Sequence, residues 1–239
     1  MRLEELIVFE DDDMVAINKP AGLLTITDRA AHEQSLKQML VDKYGQIFTV
    51  HRLDKETSGL VVFAKNEAMH RHLSMQFEHR ETRKIYNGFV LGVPADKEGV
   101  VNELISEHPT KKGMMVVYRK GKESITEYKV LDSFRFFSWM EFHILTGRTH
   151  QIRVHMKHIG HPIACDPLYG DGKPVFISMF KHRYNLSKTE EAERPLLHRL
   201  ALHSSELSFK GLKGNVYELQ APVPKDLKAL LNQLNKVKK

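Results

Sequence analysis

Short hydrophobic runs separated by polar turns make up much of this chain. The runs at residues 6–9 and 14–17 flank four consecutive acidic residues, a pattern that predicts a β-hairpin whose acidic turn faces water. Other runs are rich in β-branched and aromatic residues and predict further strands. These predicted strands lie at residues 60–64, 84–91, at several positions within 99–131, and at 139–145, 200–209 and 216–219.

Four segments have helical periodicity instead. The clearest covers residues 67–79, where Met69, Leu73 and Phe77 recur every four positions behind Asn66, a residue type that caps helices. The other predicted helices lie at 33–44, from Thr149 (as N-cap) to Gly160, and from Pro224 onwards with Leu227, Leu230, Leu231 and Leu234 on its apolar face.

These elements predict the α+β class, with a mostly antiparallel mixed central sheet and flanking helices. The sequence shows no repeat, no low-complexity tract and no linker long enough to divide it, so we expect a single domain over residues 1–239. Residues 171–195 are polar and charged, and we interpret them as an insertion within that domain.

Composition and charge indicate which partners and which cellular location to expect. The chain has 36 Lys and Arg against 30 Asp and Glu, and this net charge of +6 is compatible with a polyanionic partner. Cys165 is the only cysteine, so no internal disulfide can form and a reducing, cytoplasmic location is expected. The sequence has neither a signal-peptide pattern nor an apolar run of membrane-spanning length, so we expect a cytoplasmic monomer without membrane contact.

Asp54 is the first candidate for chemistry. It lies between Arg52 and Lys55 in a polar stretch that leads directly into a buried strand. A loop Asp most often serves as a turn or cap residue, and that interpretation stays open. A neighbouring guanidinium, however, keeps a carboxylate ionised, and an ionised carboxylate held in place can act as a nucleophile or a base.

A second candidate cluster surrounds the predicted helix at Thr149. Arg148 precedes the helix, and Arg153 lies inside it between two apolar residues. The two could be surface arginines on a solvated helix. Alternatively, an inward-facing Arg153 is partly buried and needs a carboxylate partner, for which Asp54 is the candidate.

Two further features allow both a structural and a functional interpretation. Tyr86 could be a core aromatic of its strand, or it could stack on an unstacked nucleobase. Four histidines between residues 150 and 161 invite a metal hypothesis, but they form no His-Glu-x-x-His pattern and the single cysteine cannot build a thiolate site. We therefore expect no metal.

Six motifs together carry a resemblance to the RluA branch of the pseudouridine synthases. The longest is the ten-residue string from His51 to Leu60, and all six occur in the family's order. The six motifs lie at residues 18–23, 51–60, 84–86, 147–155, 162–170 and 200–204. The resemblance implies an enzyme that isomerises uridine to pseudouridine in structured RNA, with ribosomal RNA favoured and tRNA possible.

The resemblance also implies roles for individual residues. Asp54 would be the essential aspartate, Tyr86 would stack on the target base, Arg153 would pair with Asp54, and Arg52 would occupy the space of the extruded nucleotide. Three other residues of the same motifs are predicted to contact RNA, namely Lys19, Arg148 and His150. The implied reaction needs no cofactor.

The sequence departs from many of these relatives at its start. They carry an N-terminal S4 RNA-binding domain, whereas here the first strand of the catalytic domain begins by residue 6. We therefore expect the catalytic domain itself to recognise RNA.

Two rival functions remain from the sequence. One is a hydrolase built on His51, Asp54 and Ser58, although no Gly-x-Ser-x-Gly elbow is present. The other is an RNA chaperone that binds without turnover.

Overall fold

The computed structural model describes residues 2–27, 33–181 and 192–238. The strands are β1 (Ile7–Glu10), β2 (Met14–Lys19), β3 (Phe48–Thr49), β4 (Ser58–Ala64), β5 (Arg83–Leu91), β6 (Glu98–Glu107), β7 (Met115–Val117), β8 (Lys122–Ser133), β9 (Phe137–Ile144), β10 (Leu202–Lys210) and β11 (Val216–Gln220). The helices are α1 (Leu36–Tyr44), α2 (Glu67–Glu78), α3 (Gln151–His158) and α4 (Lys225–Val237), and short 3₁₀ turns cover Leu3–Leu6 and Ile177–Met179. The α+β class with a mostly antiparallel mixed sheet is confirmed.

The described residues form two compact units, each built from separate stretches of chain. The first unit comprises residues 1–86, 143–146 and 203–222, and the second comprises 87–142, 147–202 and 223–239. The prediction of one domain over the whole chain stays a prediction.

The first unit is a sheet covered by α2. Strands β1, β2 and β4 are antiparallel neighbours, and β10 joins β4 in parallel. Strands β3 and β11 add to β4 and β10 respectively. Met69 and Leu73 of α2 pack into the core formed by Leu60 and Val62 of β4 and by β10, which explains the four-residue spacing of apolar positions in α2.

The second unit has the strand order β9-β8-β6-β7, and its β6–β8 ladder is antiparallel. Helix α3 packs against β6, β7 and β8. A small core of Ile105, Val154 and Tyr169 lies there, and Met114, Met115 and Val117 pack against it.

Helix ends show which local signals were correct. The Asn66 side chain accepts a hydrogen bond from the Met69 N–H, so the predicted cap of α2 is confirmed. Helix α1 begins three residues later than predicted, because Ser35 provides the capping oxygen. Thr149 as the cap of α3 was wrong. His150 precedes that helix in a left-handed conformation (φ 56°) without a side-chain cap.

The structure describes only part of the predicted insertion at 171–195. Val175 pairs with Leu197 in an isolated bridge, which ties its two ends together. Its central residues, 182–191, lie outside the described part of the chain. In the described residues, no helix is both long and apolar enough to cross a membrane.

Candidate active site

A buried lysine holds the loop that carries Asp54 by hydrogen bonds to its backbone. The Lys19 ammonium donates to the carbonyl oxygens of Pro20 (3.0 Å), Leu23 (2.8 Å) and Lys55 (3.0 Å), and the residue is fully buried. The Lys55 carbonyl also accepts from the Gly22 N–H at 2.9 Å. These bonds join the 20–23 segment to the residue after Asp54 and so hold the loop in one conformation.

A threonine holds the other side of the same loop. The Thr25 hydroxyl donates to the Leu53 carbonyl (2.9 Å) and accepts from the Leu53 N–H (3.2 Å). The Thr57 N–H donates to the Asp54 carbonyl at 3.1 Å. Asp54 itself is half-buried. Its backbone is therefore fixed from both flanks.

Behind the loop, β4 and β10 approach unusually closely. Gly59 has φ +116°, and a Cβ at this position would lie 2.1 Å from the Ser204 carbonyl oxygen. Only glycine permits this parallel pairing without displacing the backbone. Ser204 is consequently held at a defined position beside the end of the Asp54 loop.

Tyr86 of β5 faces this region and is 8% exposed. Burial raises its pKa to about 12, a hydrogen bond with Ser204 acts in the opposite direction, and the negative charge of Asp54 adds to the increase. Tyr86 is therefore neutral at any physiological pH.

The histidine at the start of the loop has a structural role. His51 Nε2 accepts the Val62 N–H (3.1 Å), and its ring stacks on Phe77 with centroids 4.6 Å apart. Burial, together with the nearby Lys84 charge, lowers the pKa of His51 to about 3. Lys84 is itself mostly buried, which lowers its pKa to about 8. A neutral imidazole whose Nε2 already accepts a backbone hydrogen bond is poorly suited to be a catalytic base.

Ser58 is likewise engaged with a partner that the sequence analysis did not identify. Its hydroxyl lies 3.0 Å from His203 Nδ1, and His203 Nε2 lies 3.3 Å from the Ala221 carbonyl. Because the carbonyl requires Nε2 to carry the proton, Nδ1 accepts from the Ser58 hydroxyl. Both side chains are buried. A hydrolase would need His51 as an available base and Ser58 as an exposed nucleophile. The structure offers neither.

Acid should destabilise the fold through its buried neutral histidines. The pKa of His51 falls from an ordinary 6.5 to about 3, and burial lowers that of His155 to about 4. Between these values and 6.5 the unfolded chain binds protons that the folded chain does not. The free energy of unfolding should therefore decrease as pH falls below 6.5, by up to about 1.4 kcal/mol per pH unit for each histidine.

Urea denaturation at pH 7.5, 6.0 and 5.0 measures this dependence. His51→Gln should make the free energy of unfolding less dependent on pH. Replacing the exposed His79 by Gln should leave that dependence unchanged. If the wild type and both variants showed the same pH dependence, His51 would not be the buried neutral histidine that makes acid destabilising.

Arg153 lies in the second unit and makes a buried, two-pronged ion pair. Its Nε and one terminal nitrogen donate to the two carboxylate oxygens of Asp166 at 2.7 and 2.8 Å, and the side chains are 5% and 0% exposed. One Asp166 oxygen also accepts from the N–H groups of Leu168 and Tyr169. The sequence analysis predicted a buried Arg153 with a carboxylate partner but did not consider Asp166. Pairing of Arg153 with Asp54 stays a prediction.

Tyr169 connects the residues around Arg153. Its ring lies 5.0 Å from the Arg153 guanidinium carbon, and its hydroxyl lies 2.8 Å from His150 Nδ1. The same hydroxyl accepts from the Met115 N–H at 2.8 Å. The left-handed backbone of His150, costly for a residue other than glycine, is thus accompanied by a specific side-chain contact.

The predicted RNA-contacting residues occupy different environments. Arg52 is exposed, and the partly exposed Arg148 donates from Nε to the Glu123 carbonyl at 3.1 Å. Lys19 is fully buried, and its contact with RNA stays a prediction. A phosphate contact would require its ammonium to leave three carbonyl groups and a fully buried position. In this structure Lys19 supports the loop.

The histidine cluster does not assemble into a metal site. His155 Nδ1 lies 2.9 Å from the Thr126 hydroxyl and His161 Nδ1 lies 3.0 Å from the Leu91 carbonyl. Within the described parts of the chain, no group of three or more His, Cys, Asp or Glu side chains could hold a metal ion.

Four residues with roles in these networks were not singled out from the sequence. Asp166 and Tyr169 lie in the motif at 162–170, and His203 and Ser204 lie in the motif at 200–204. In the sequence these four residues were marked only by lying in those two motifs, and the sequence analysis gave no chemical role to either motif.

Comparison with known proteins gives a consistent result. Residues 13–158 match the family described as RNA pseudouridylate synthase. Ribosomal large subunit pseudouridine synthase D of Buchnera aphidicola (subsp. Acyrthosiphon pisum) is 37% identical over 233 residues, which cover 94% of this chain and 72% of that protein. The dual-specificity RNA pseudouridine synthase RluA of Vibrio cholerae is 38% identical over 205 residues, covering 85% of this chain and 76% of that protein.

A solved structure agrees with the sequence relatives. Human RNA Pseudouridylate Synthase Domain Containing 4 superposes with a TM-score of 0.74 at 26% identity, over 98% of this chain and 94% of that one.

Proposed function

Because the chain belongs to the RNA pseudouridylate synthase family, we propose that Asp54 is its catalytic group and that its substrate is a uridine of large-subunit ribosomal RNA. One observation carries the assignment of Asp54. Asp54 is half-buried on a loop that Lys19 and Thr25 hold by hydrogen bonds, and its negative charge contributes to the raised pKa of the buried Tyr86. Fixed geometry of this kind is what a group needs in order to meet a substrate atom in the transition state.

The target nucleotide must leave its stack before it can react. A uracil inside a helix is inaccessible, so the nucleotide has to swing out of the RNA, and the cost is a few kcal/mol. Arg52 is exposed and lies two residues before Asp54. Its planar guanidinium can take the vacated place and stack on the neighbouring bases, which offsets part of that cost.

The reaction is an isomerisation that needs no oxidant or reductant. The bond from C1′ to N1 breaks, the uracil turns, and a bond from C1′ to C5 forms, while C5 loses a proton to solvent and N1 gains one. Asp54 promotes the first step either by attacking the sugar or the base or by removing the 2′ proton. Tyr86 holds the face of the uracil while the first bond breaks.

The choice of ribosomal RNA rests on the names of the relatives. Relatives with 35–37% identity are named as ribosomal large subunit enzymes, while the one from Vibrio cholerae is named as dual-specific. Arg148 and His150 are proposed to contact the same RNA. They lie at the start of α3, where the backbone N–H groups of the first turn favour anions.

Mapping pseudouridine in cells tests the substrate. Carbodiimide treatment followed by primer extension should show one or more large-subunit rRNA stops that disappear when the gene is deleted and return with the wild-type gene. If the rRNA profiles are identical and a tRNA stop disappears instead, the ribosomal assignment is wrong.

Substitutions at Tyr86 test its contact with the base. Tyr86→Phe keeps the ring and should lower the rate of tritium release from labelled uridine only a few-fold. Tyr86→Leu loses the aromatic face and should lower it roughly 5- to 150-fold, the range expected for one lost stacking contact. Near wild-type turnover by a folded Tyr86→Leu protein would remove Tyr86 from the site.

A further inference from the structure

A cavity of about 290 Å³ opens in the second unit, between the β6–β7 hairpin and α3. Its walls include Met114, Met115 and Val117 from the hairpin, together with Val154 of α3 and Tyr169. The volume is near the lower limit of ligand pockets, roughly 300–1,000 Å³, so the cavity suits one small planar group.

The walls of this cavity are held in place by the core beneath them. Val154 and Tyr169 are each 4% exposed and form a small cluster with Ile105. The Met115 N–H donates to the Tyr169 hydroxyl at 2.8 Å, which ties β7 to this cluster. The cavity is therefore part of the folded unit and does not depend on a loose side chain.

The rim of the cavity is basic. Lys111 and Lys157 are exposed, and the Lys157 ammonium lies 5.8 Å from the centre of the Tyr169 ring. His108 Nδ1 accepts the N–H groups of Thr110 (3.2 Å) and Lys111 (3.1 Å). The proton of a neutral His108 is then on Nε2, which is available as a donor.

Further positive charge follows the two turns beside the cavity. Lys112 lies next to Lys111, Arg119 and Lys120 occupy the turn between β7 and β8, and Lys122 begins β8; all four residues are exposed. Among the described residues that line the cavity there is no carboxylate. An apolar floor under a cationic rim matches a nucleotide, whose base is planar and whose phosphate is anionic.

We propose that this cavity binds one unstacked nucleobase of the RNA substrate, distinct from the uridine that reacts, while Lys111 and Lys157 hold the adjacent phosphate. Because the described residues of the lining include no carboxylate, a base held there meets no counterpart of Asp54. The cavity is thus a recognition site that contributes to the choice of RNA. The inference rests on RNA as the substrate and does not depend on which RNA it is.

A pair of neighbouring lysines provides a matched test. Lys111→Glu and Lys112→Glu change the same charge on the same exposed turn, but only Lys111 lines the cavity. Binding of unmodified large-subunit rRNA and tRNA transcripts would be measured at fixed salt. Lys111→Glu should weaken the binding of the preferred transcript at least about fivefold more than Lys112→Glu, which should weaken it twofold or less.

Photocrosslinking then distinguishes a nucleobase bound in the cavity from a phosphate bound only at its rim. With transcripts containing 4-thiouridine, mass spectrometry of the wild-type protein and of Lys112→Glu should find nucleotide attached within residues 114–117 or at Tyr169, and Lys111→Glu should lose this product. Equal weakening by both substitutions overturns the proposal. Loss of affinity without a crosslink in the cavity also overturns it, because it would indicate a phosphate contact alone.

These outcomes are distinguishable from failure of the proposed function. A wild-type protein that forms no pseudouridine in the rRNA transcript refutes the ribosomal assignment. The crosslink on whichever transcript binds still decides whether the cavity holds a base.

Discussion

Replacing Asp54 by Asn should abolish pseudouridine formation while RNA binding is retained. The amide has nearly the same shape as the carboxylate, so the contacts of Lys19 and Thr25 with the loop backbone should persist. What is lost is the negative charge, and with it the capacity to act as nucleophile or base. Tritium release from labelled uridine should decrease by at least roughly 10³-fold, within the range for loss of one acid–base group.

Asp12→Asn is a suitable control, because Asp12 is exposed in the turn between β1 and β2 and its substitution removes the same charge. It should leave turnover unchanged. Retained turnover by Asp54→Asn would refute the proposed mechanism. An RNA chaperone would also bind RNA regardless of Asp54→Asn, but its wild-type form would make no pseudouridine, contrary to the family assignment.

Replacing Asp166 by Asn should produce the largest loss of stability. The substitution leaves the Arg153 guanidinium, which is 5% exposed, without its anionic partner. Breaking a buried ion pair from one side typically costs about 3–5 kcal/mol, because a charge is left uncompensated in the interior. Urea denaturation at pH 7.5 measures the change in the free energy of unfolding.

A second ion pair of the same geometry provides the control. Arg199 donates from two nitrogens to both Asp226 oxygens at 2.6 and 2.8 Å, but these side chains are 13% and 32% exposed. Water can solvate the remaining charge in Asp226→Asn, so the loss should be about 1 kcal/mol or less. Equal losses in the two variants would show that burial does not set the strength of the Arg153–Asp166 pair.

Local pattern was sufficient for most of the secondary structure. The apolar spacing of Met69, Leu73 and Phe77 and the cap at Asn66 predicted α2 almost to the residue. Such signals act between positions a few residues apart, where chain geometry alone decides which side chains meet. At α3 the same reasoning chose Thr149, but the helix starts after His150, whose backbone conformation accompanies a contact with the distant Tyr169.

The candidate site could be predicted only in part. The roles of Asp54 and Tyr86 stay predictions, and in the structure the negative charge of Asp54 contributes to the raised pKa of Tyr86. That Arg153 would be buried beside a carboxylate followed from its apolar neighbours. That its partner would be Asp166 did not follow, because 30 acidic residues were available and no spacing rule selects among them.

The sequence by itself determined the periodicities, the α+β class and, through six ordered motifs, the family. Only the tertiary structure decided which polar groups are enclosed. The Lys19 ammonium, for example, is enclosed by three backbone carbonyl groups. Ser58 proved to pair with His203, 145 residues further along the chain. Burial and long-range pairing depend on how distant segments close on one another, and no local pattern encodes that closure.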